Sequence, residues 1–171
     1  MTDFSALYKK YAPDVYRFAL YLSSERGEAE DITSETFVRA WTSPDPIVMA
    51  TVKSYLFTIA RNLFLQGLRE KSRHVALSDE LRDPHAGPYV QAEQKEKLHS
   101  VMAELQSLPE ASRSALLMRA LDGMAYEEIA LVLGLSLSAV KVKIHRARLA
   151  LTGWRDAQQG SGVKVMGGGG K

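Results

Sequence analysis

Tyr126 to Leu151 reads YEEIALVLGLSLSAVKVKIHRARLAL. Its apolar residues fall into two short helical patterns separated by a glycine. Ile129, Ala130 and Leu133 line one face of the first, and Ala130 is small where two helices must cross closely. Gly134 supplies the positive φ a tight turn needs, and Leu135 plugs the junction. In the second segment Leu137, Val140, Ile144, Ala147 and Leu151 recur at helical spacing, with Ser136 or Ser138 as its cap. Two short helices joined in this way have the layout of a helix-turn-helix.

At about 100° per residue, the side of the second helix opposite Val140 and Ile144 carries Ser138, Lys141, Val142, His145 and Arg146. Lys143 and Arg148 lie on its flanks. A helix fits the DNA major groove, where lysine and arginine bond guanine edges or phosphates and a valine touches a thymine methyl. A merely solvated basic face would favour the macrodipole near the helix C-terminus, yet leaves Lys141 at the start unexplained. The reading is DNA binding. Ala125 stands where Ser or Thr would cap the first helix, a loss of about 1 kcal/mol that Glu127 and Glu128 partly offset through the dipole.

The remainder is helical as well. With 171 residues, 46% hydrophobic and 25% charged, the chain has the composition of a folded globular protein of one ordinary or two small domains. The net charge of +2 carries little information, so the distribution of charge matters more. The absence of cysteine excludes disulfides and thiolate chemistry. Four scattered histidines argue against a metal site, and no cofactor is expected. No apolar run approaches the roughly 20 residues of a membrane span, and MTDFSALYKK is not a secretory leader, so a cytoplasmic protein is expected. No phosphate-cradling glycine loop or nucleophile constellation appears, which argues against an enzyme.

Periodicity predicts a helix over 3–11, a second from Pro13, and a third near 28–41. A proline-containing loop, TSPDPIVMAT, precedes a longer helix over 52–73. Residues 74–92 read as a linker. Helices resume over 93–106, then from Pro109 to a Gly123 cap, and finally over 126–133 and 138–152. The expected domains are 1–73 and 93–153, with a flexible tail over 154–171.

The third helix clusters Ala29, Ile32, Thr36 and Ala40 on one side and Glu30, Asp31, Ser34, Glu35 and Val38 on the other. From charge alone this acidic stripe reads as a solvated face that serves solubility; Phe37, Val38 and Trp41 beside it point instead to a protein-docking surface with aromatic anchors. In the fourth helix Val52, Leu56, Ile59, Ala60 and Leu63 are the expected seam. Ser54, Thr58, Arg61, Asn62 and Arg69 are expected outside, with Lys71 and Arg73 extending the positive charge; Tyr55 or Phe57 can stack on an unpaired base, although Phe57 alone reads better as core.

Three stretches in order, AEDITSETFVRAW, SYLFTIARNLFLQGLREKSR and LPEASRSALLMRALDGMAYEEIALVLGLSLSAVKVKIHRARLAL, resemble bacterial sigma factors of the extracytoplasmic-function type. The resemblance implies an all-α chain of two helical domains, regions two and four, joined by a flexible linker. It implies that Glu30, Asp31, Ser34, Glu35 and Val38 dock on the β′ clamp helices of core RNA polymerase. It implies that Lys53, Ser54, Tyr55, Arg61 and Asn62, with Arg69 on the same helix, recognise and melt the −10 element. Ser138, Lys141, Val142, Lys143, His145, Arg146 and Arg148 would then read the −35 element, while region four docks on the β flap. Many members are held inactive by an anti-sigma protein, which the resemblance adds as a partner class. Two positions depart from the family pattern: Tyr55 stands where Trp is usual, and Val142 where a polar residue is common. A free-standing helix-turn-helix regulator and a protein-binding adaptor are the competing readings.

Overall fold

The computed structural model describes residues 3–43, 51–77 and 92–163, with side chains over 3–43, 51–73 and 100–153. The described residues form seven α-helices and no strand: α1 (Phe4–Ser23), α2 (Arg26–Thr42), α3 (Val52–Leu77), α4 (Ala92–Ser107), α5 (Glu110–Asp122), α6 (Tyr126–Leu133) and α7 (Leu137–Val163). The expected linker falls largely outside the described residues, as do most of the loop after α2 and the last part of the tail.

The predicted break near Pro13 does not occur. α1 runs straight through it, from an Asp3 cap whose carboxylate accepts the Ser5 N–H at 3.1 Å. Proline cannot donate to the Lys9 carbonyl, but both residues are exposed, so water can satisfy the freed group. Burial of Ala12 and Val15 on either side holds the helix together. α1 ends at Ser24, in the left-handed conformation at φ 65°, with its N–H on the Leu20 carbonyl at 2.7 Å.

In the N-terminal unit α1, α2 and α3 bury Val15, Phe18, Leu22, Ala29, Ile32, Phe37, Leu56, Phe57 and Phe64. Phe18 and Phe57 stack with ring centres 4.7 Å apart. The α3 seam is rotated from the expected one: Leu56, Phe57, Ala60 and Phe64 are buried, whereas Val52, Ile59 and Leu63 are only partly covered. The two phenylalanines bring more apolar area than the residues they displace, so burial of the larger rings sets the rotation.

In the C-terminal unit α5, α6 and α7 enclose Leu117, Met118, Ile129, Val132, Leu133, Val140, Ile144 and Ala147. Gly123 and Gly134 close α5 and α6 at φ 60° and 65°, as the sequence predicts. The two units share one continuous apolar cluster, because α5 packs on α1 and α6 on α3. α7 continues to Val163, past the predicted end at Thr152; no proline interrupts it, and the three glycines beyond that point, Gly153, Gly160 and Gly162, cost only about 1 kcal/mol each.

Candidate nucleic-acid interface

Ser136 starts α7: its Oγ accepts the Ala139 N–H at 3.1 Å and its carbonyl the Val140 N–H at 3.1 Å. Ser138 therefore does not cap. It is exposed, together with Lys141, Val142, His145, Arg146 and Arg148, while Lys143 is partly covered. Val140, Ile144 and Ala147 on the opposite side are buried. The turn is fixed by Gly134 and by the Leu135 N–H on the Ala130 carbonyl at 3.0 Å. Ala125 provides no side-chain cap to α6. Tyr126, the first residue of α6, lies under two cations, Arg119 at 4.5 Å and Lys141 at 6.0 Å from its ring centre. One face of α7 thus presents cations and a valine to solvent from a rigid two-helix support.

On α2, Glu30, Asp31, Ser34, Glu35 and Val38 are all exposed and lie on one face. Glu35 pairs with Arg39 one turn on, at 3.1 Å. Phe37 is not an anchor beside them: it is core, 1% exposed. Trp41 is 60% exposed and leans on Phe4 with ring centres 4.9 Å apart. An open groove of about 400 Å³ between α1 and α2 borders this stripe, with Tyr8, Tyr16, Glu30 and Ser34 in its lining.

The residues of α3 divide. Asn62 and Arg69 are exposed and Tyr55 is half-buried. Ser54, expected outside, is fully buried. Its Oγ lies 2.7 Å from Thr51 Oγ1, which also accepts the Ser54 N–H at 3.0 Å, so this pair organises the first turn of α3. Phe57 is core, 0% exposed. Lys71 does not extend the positive face, since Glu28 of α2 and Glu25, the residue that precedes that helix, hold its ammonium at 2.7 and 3.1 Å. Burial lowers its pKa, but those two carboxylates outweigh burial and leave it raised.

Lys53 and Arg61 face the C-terminal unit. Arg61 grips Glu110 with both arms of its guanidinium, Nε to Oε1 at 2.7 Å and Nη2 to Oε2 at 2.9 Å. Lys53 reaches Asp122 Oδ1 at 3.4 Å and Asp14 at 3.3 Å, and Arg17 reaches the same Asp122 oxygen at 3.2 Å. Gln106 adds amide bonds to the Leu22 and Tyr21 carbonyls at 3.0 and 3.3 Å. Burial raises the Glu110 carboxyl, but hydrogen bonds from Arg61 and Ser114 prevail and hold it below the usual carboxylate range. For Asp122 burial wins over Lys53 and Arg17, and its pKa is raised. Sequence reasoning missed Glu110, Asp122 and Arg17. It also missed Arg113, buried at 5% exposure over the Phe64 ring and donating to the Leu108 carbonyl at 3.1 Å.

Residues 7–74 match Sigma-70 region 2 and residues 98–151 match Sigma-70, region 4. The ECF RNA polymerase sigma factor SigM of Bacillus subtilis is 34% identical over 150 residues, 85% of this chain and 90% of that protein. The chain belongs to the ECF sigma factors. SigE of Mycolicibacterium smegmatis, also an ECF sigma factor, is 32% identical over 157 residues, 88% of this chain but 61% of that longer protein. Among solved structures, the sigma factor RpoE in complex with the anti-sigma factor NepR from Bartonella quintana superposes with a TM-score of 0.75. It is 29% identical, covering 88% of this chain and 95% of that one. CnrH, in complex with the cytosolic domain of CnrY, gives 0.69 at 26% identity over 90% of this chain and 88% of that one. As an ECF sigma factor the chain is a regulatory factor of transcription initiation rather than a catalyst. Among the described residues no helix is long and apolar enough to cross a membrane, and no acidic, histidine or cysteine cluster could hold a metal ion.

Proposed function

We propose that this ECF sigma factor binds core RNA polymerase, recognises −35 and −10 promoter elements, and melts the −10 region to direct initiation. The observation that carries the reading is the face of α7, where Lys141, Val142, His145, Arg146 and Arg148 stand exposed behind a buried Val140, Ile144 and Ala147 seam. That surface fits a major groove at the −35 element, with Ser138 and Lys143 at its margins. The exposed stripe of Glu30, Asp31, Ser34, Glu35 and Val38 on α2 is the docking surface for the β′ clamp helices, and region four meets the β flap. On α3, Lys53, Tyr55, Arg61, Asn62 and Arg69 are the −10 face; Ser54 supports it from the core instead of touching DNA. Holding a base outside the duplex costs a few kcal/mol, which stacking on Tyr55 and hydrogen bonds to Asn62 can supply. Region two corresponds to residues 1–73 and region four to 93–153. An anti-sigma protein is a further partner, as in the complexes of RpoE with NepR and CnrH with CnrY.

Run-off transcription with purified core polymerase on a pool of bacterial promoter fragments tests this. Discrete start sites that require the protein are expected. Specific binding of duplex DNA by the protein alone, without core binding or transcripts, would instead identify a free-standing regulator.

A further inference from the structure

On α7 the helical repeat places Val142, His145 and Leu149 within about 60° of one another, so the three form a single ridge along the helix. Lys141 and Arg148 stand on one side of that ridge and Arg146 on the other, all of them exposed. Val142 and Leu149, one turn to either side of the imidazole, are 46% and 58% exposed. The His145 ring therefore stands in the open between two apolar side chains, flanked by fixed positive charge. It is the one residue of the ridge that can gain or lose a proton.

No partner within the protein engages it. His145 makes no hydrogen bond or ion pair with any described residue. The helices that pack on α7 are α5 and α6. Tyr126 of α6 lies under Arg119 of α5 and Lys141, while Glu127 and Glu128 in the first turn of α6 form no ion pair with His145. The other charges of α5 are engaged elsewhere: Glu110 and Asp122 by cations of region two, and Arg113 by the Phe64 ring and the Leu108 carbonyl.

Histidine is the side chain whose ordinary titration spans about pH 5 to 8, a range in which lysine and arginine stay charged. The neutral ring offers one N–H and one acceptor nitrogen, the cation two N–H donors and a positive charge. A DNA groove presents acceptors on its guanine edges and phosphates along both rims, and both favour the cation.

We propose that His145 couples −35 binding to proton uptake: DNA engages its imidazolium, so promoter affinity falls as pH rises through the neutral range. That the ligand is promoter DNA rests on the function proposed above; the switchable charge on the ridge is a feature of the fold. A complex that holds one proton more than the free chain forms more tightly at low pH, by at most about tenfold per pH unit. Promoter engagement thereby responds to pH near neutrality, which the lysines and arginines of α7 cannot achieve.

The test is promoter binding by the full chain assembled with core polymerase, between about pH 6 and 8.5 at constant ionic strength. The probe is a labelled duplex taken from a start site mapped by run-off transcription. Comparing variants with the parent at each pH cancels the titration of the polymerase itself. Relative to His145→Gln, which is neutral throughout, the parent is expected to bind about fivefold to tenfold more tightly at the acid end and about equally at the alkaline end. His145→Lys, charged throughout, is expected to stay tighter than His145→Gln at every pH. His145 is exposed, so neither change disturbs the core. Parallel curves for the parent and His145→Gln overturn the proton linkage, and so does a His145→Lys chain as weak as His145→Gln. Should Arg146→Ala still weaken binding at every pH in that case, the DNA face of α7 stands and the linkage alone is lost. Should Arg146→Ala leave binding untouched as well, α7 is not the DNA face and both assignments fall together.

Discussion

Glu110 and Asp122 sit on the same helix and face cations of the same neighbour, yet their surroundings push them in opposite directions. The Glu110 carboxyl lies below its ordinary value of 4.5, because two hydrogen bonds outweigh burial. Its contribution is therefore complete above pH 4.5 and is lost as pH falls through the depressed folded value. Glu110→Gln is predicted to cost about 1.5–3 kcal/mol at neutral pH, with the gap from the parent closing in acid, as urea titrations at stepped pH will show. Asp122 is raised above its ordinary 3.8, so its charge is easier to carry unfolded than folded. It subtracts stability at neutral pH, and the loss is relieved as pH falls through the raised value. Asp122→Asn is accordingly predicted to cost less than Glu110→Gln, the more so because Lys53 and Arg17 keep Asp14 at 3.3 and 3.6 Å. A larger loss for Asp122→Asn would show that attraction to those cations exceeds the cost of burial.

Helix ends are where local chemistry speaks most clearly. Gly123 and Gly134 close their helices where the sequence indicates, because a positive φ depends on one residue, and Ser136, one of two candidate caps, opens α7. The same logic makes Ala125 an unused opportunity: it has the extended backbone of a cap residue, φ −64° and ψ 147°, and no side chain to offer. Ala125→Ser is predicted to stabilise the protein by about 1 kcal/mol, seen as a higher denaturation midpoint with an unchanged urea slope. Where competition is decided by packing, the sequence is a weaker guide. Pro13 looks like a helix start, but burial of Ala12 and Val15 outweighs one lost backbone bond. The α3 stripe is ambiguous for the same reason: apolar residues surround much of that helix, and only the space beside Phe18 selects Phe57 and Phe64 as the buried side.

At the scale of the whole molecule, legibility follows sequence separation. The outward faces of α2 and α7 can be read because a helix maps neighbouring residues onto fixed angles. The ion pairs joining the units cannot, since Arg61 and Glu110 are 49 residues apart and Arg17 and Asp122 are 105 apart. No local spacing reports a contact of that kind, and the exposed α3 expected from periodicity is half hidden by region four. The charge asymmetry between the two ends nevertheless makes separable predictions. Asp31→Lys with Glu35→Lys is expected to weaken core polymerase binding while leaving the fold intact, the lost Glu35–Arg39 surface pair mattering little. Arg146→Ala is expected to weaken binding to upstream promoter DNA and to lower its salt slope by about 1, with core affinity nearly unchanged. Exchange of those two outcomes would mean that the faces have been assigned the wrong partners. The ring pair of Phe4 and Trp41 at the end of the acidic stripe adds an optical consequence. Trp154 is the only other tryptophan, so Trp154→Phe leaves a single indole, 60% exposed, beside the proposed docking surface. Its emission is predicted to move to shorter wavelength when core polymerase excludes water from that edge and to stay in place when DNA alone is added, giving the molecule an intrinsic colour signal that separates its two kinds of binding.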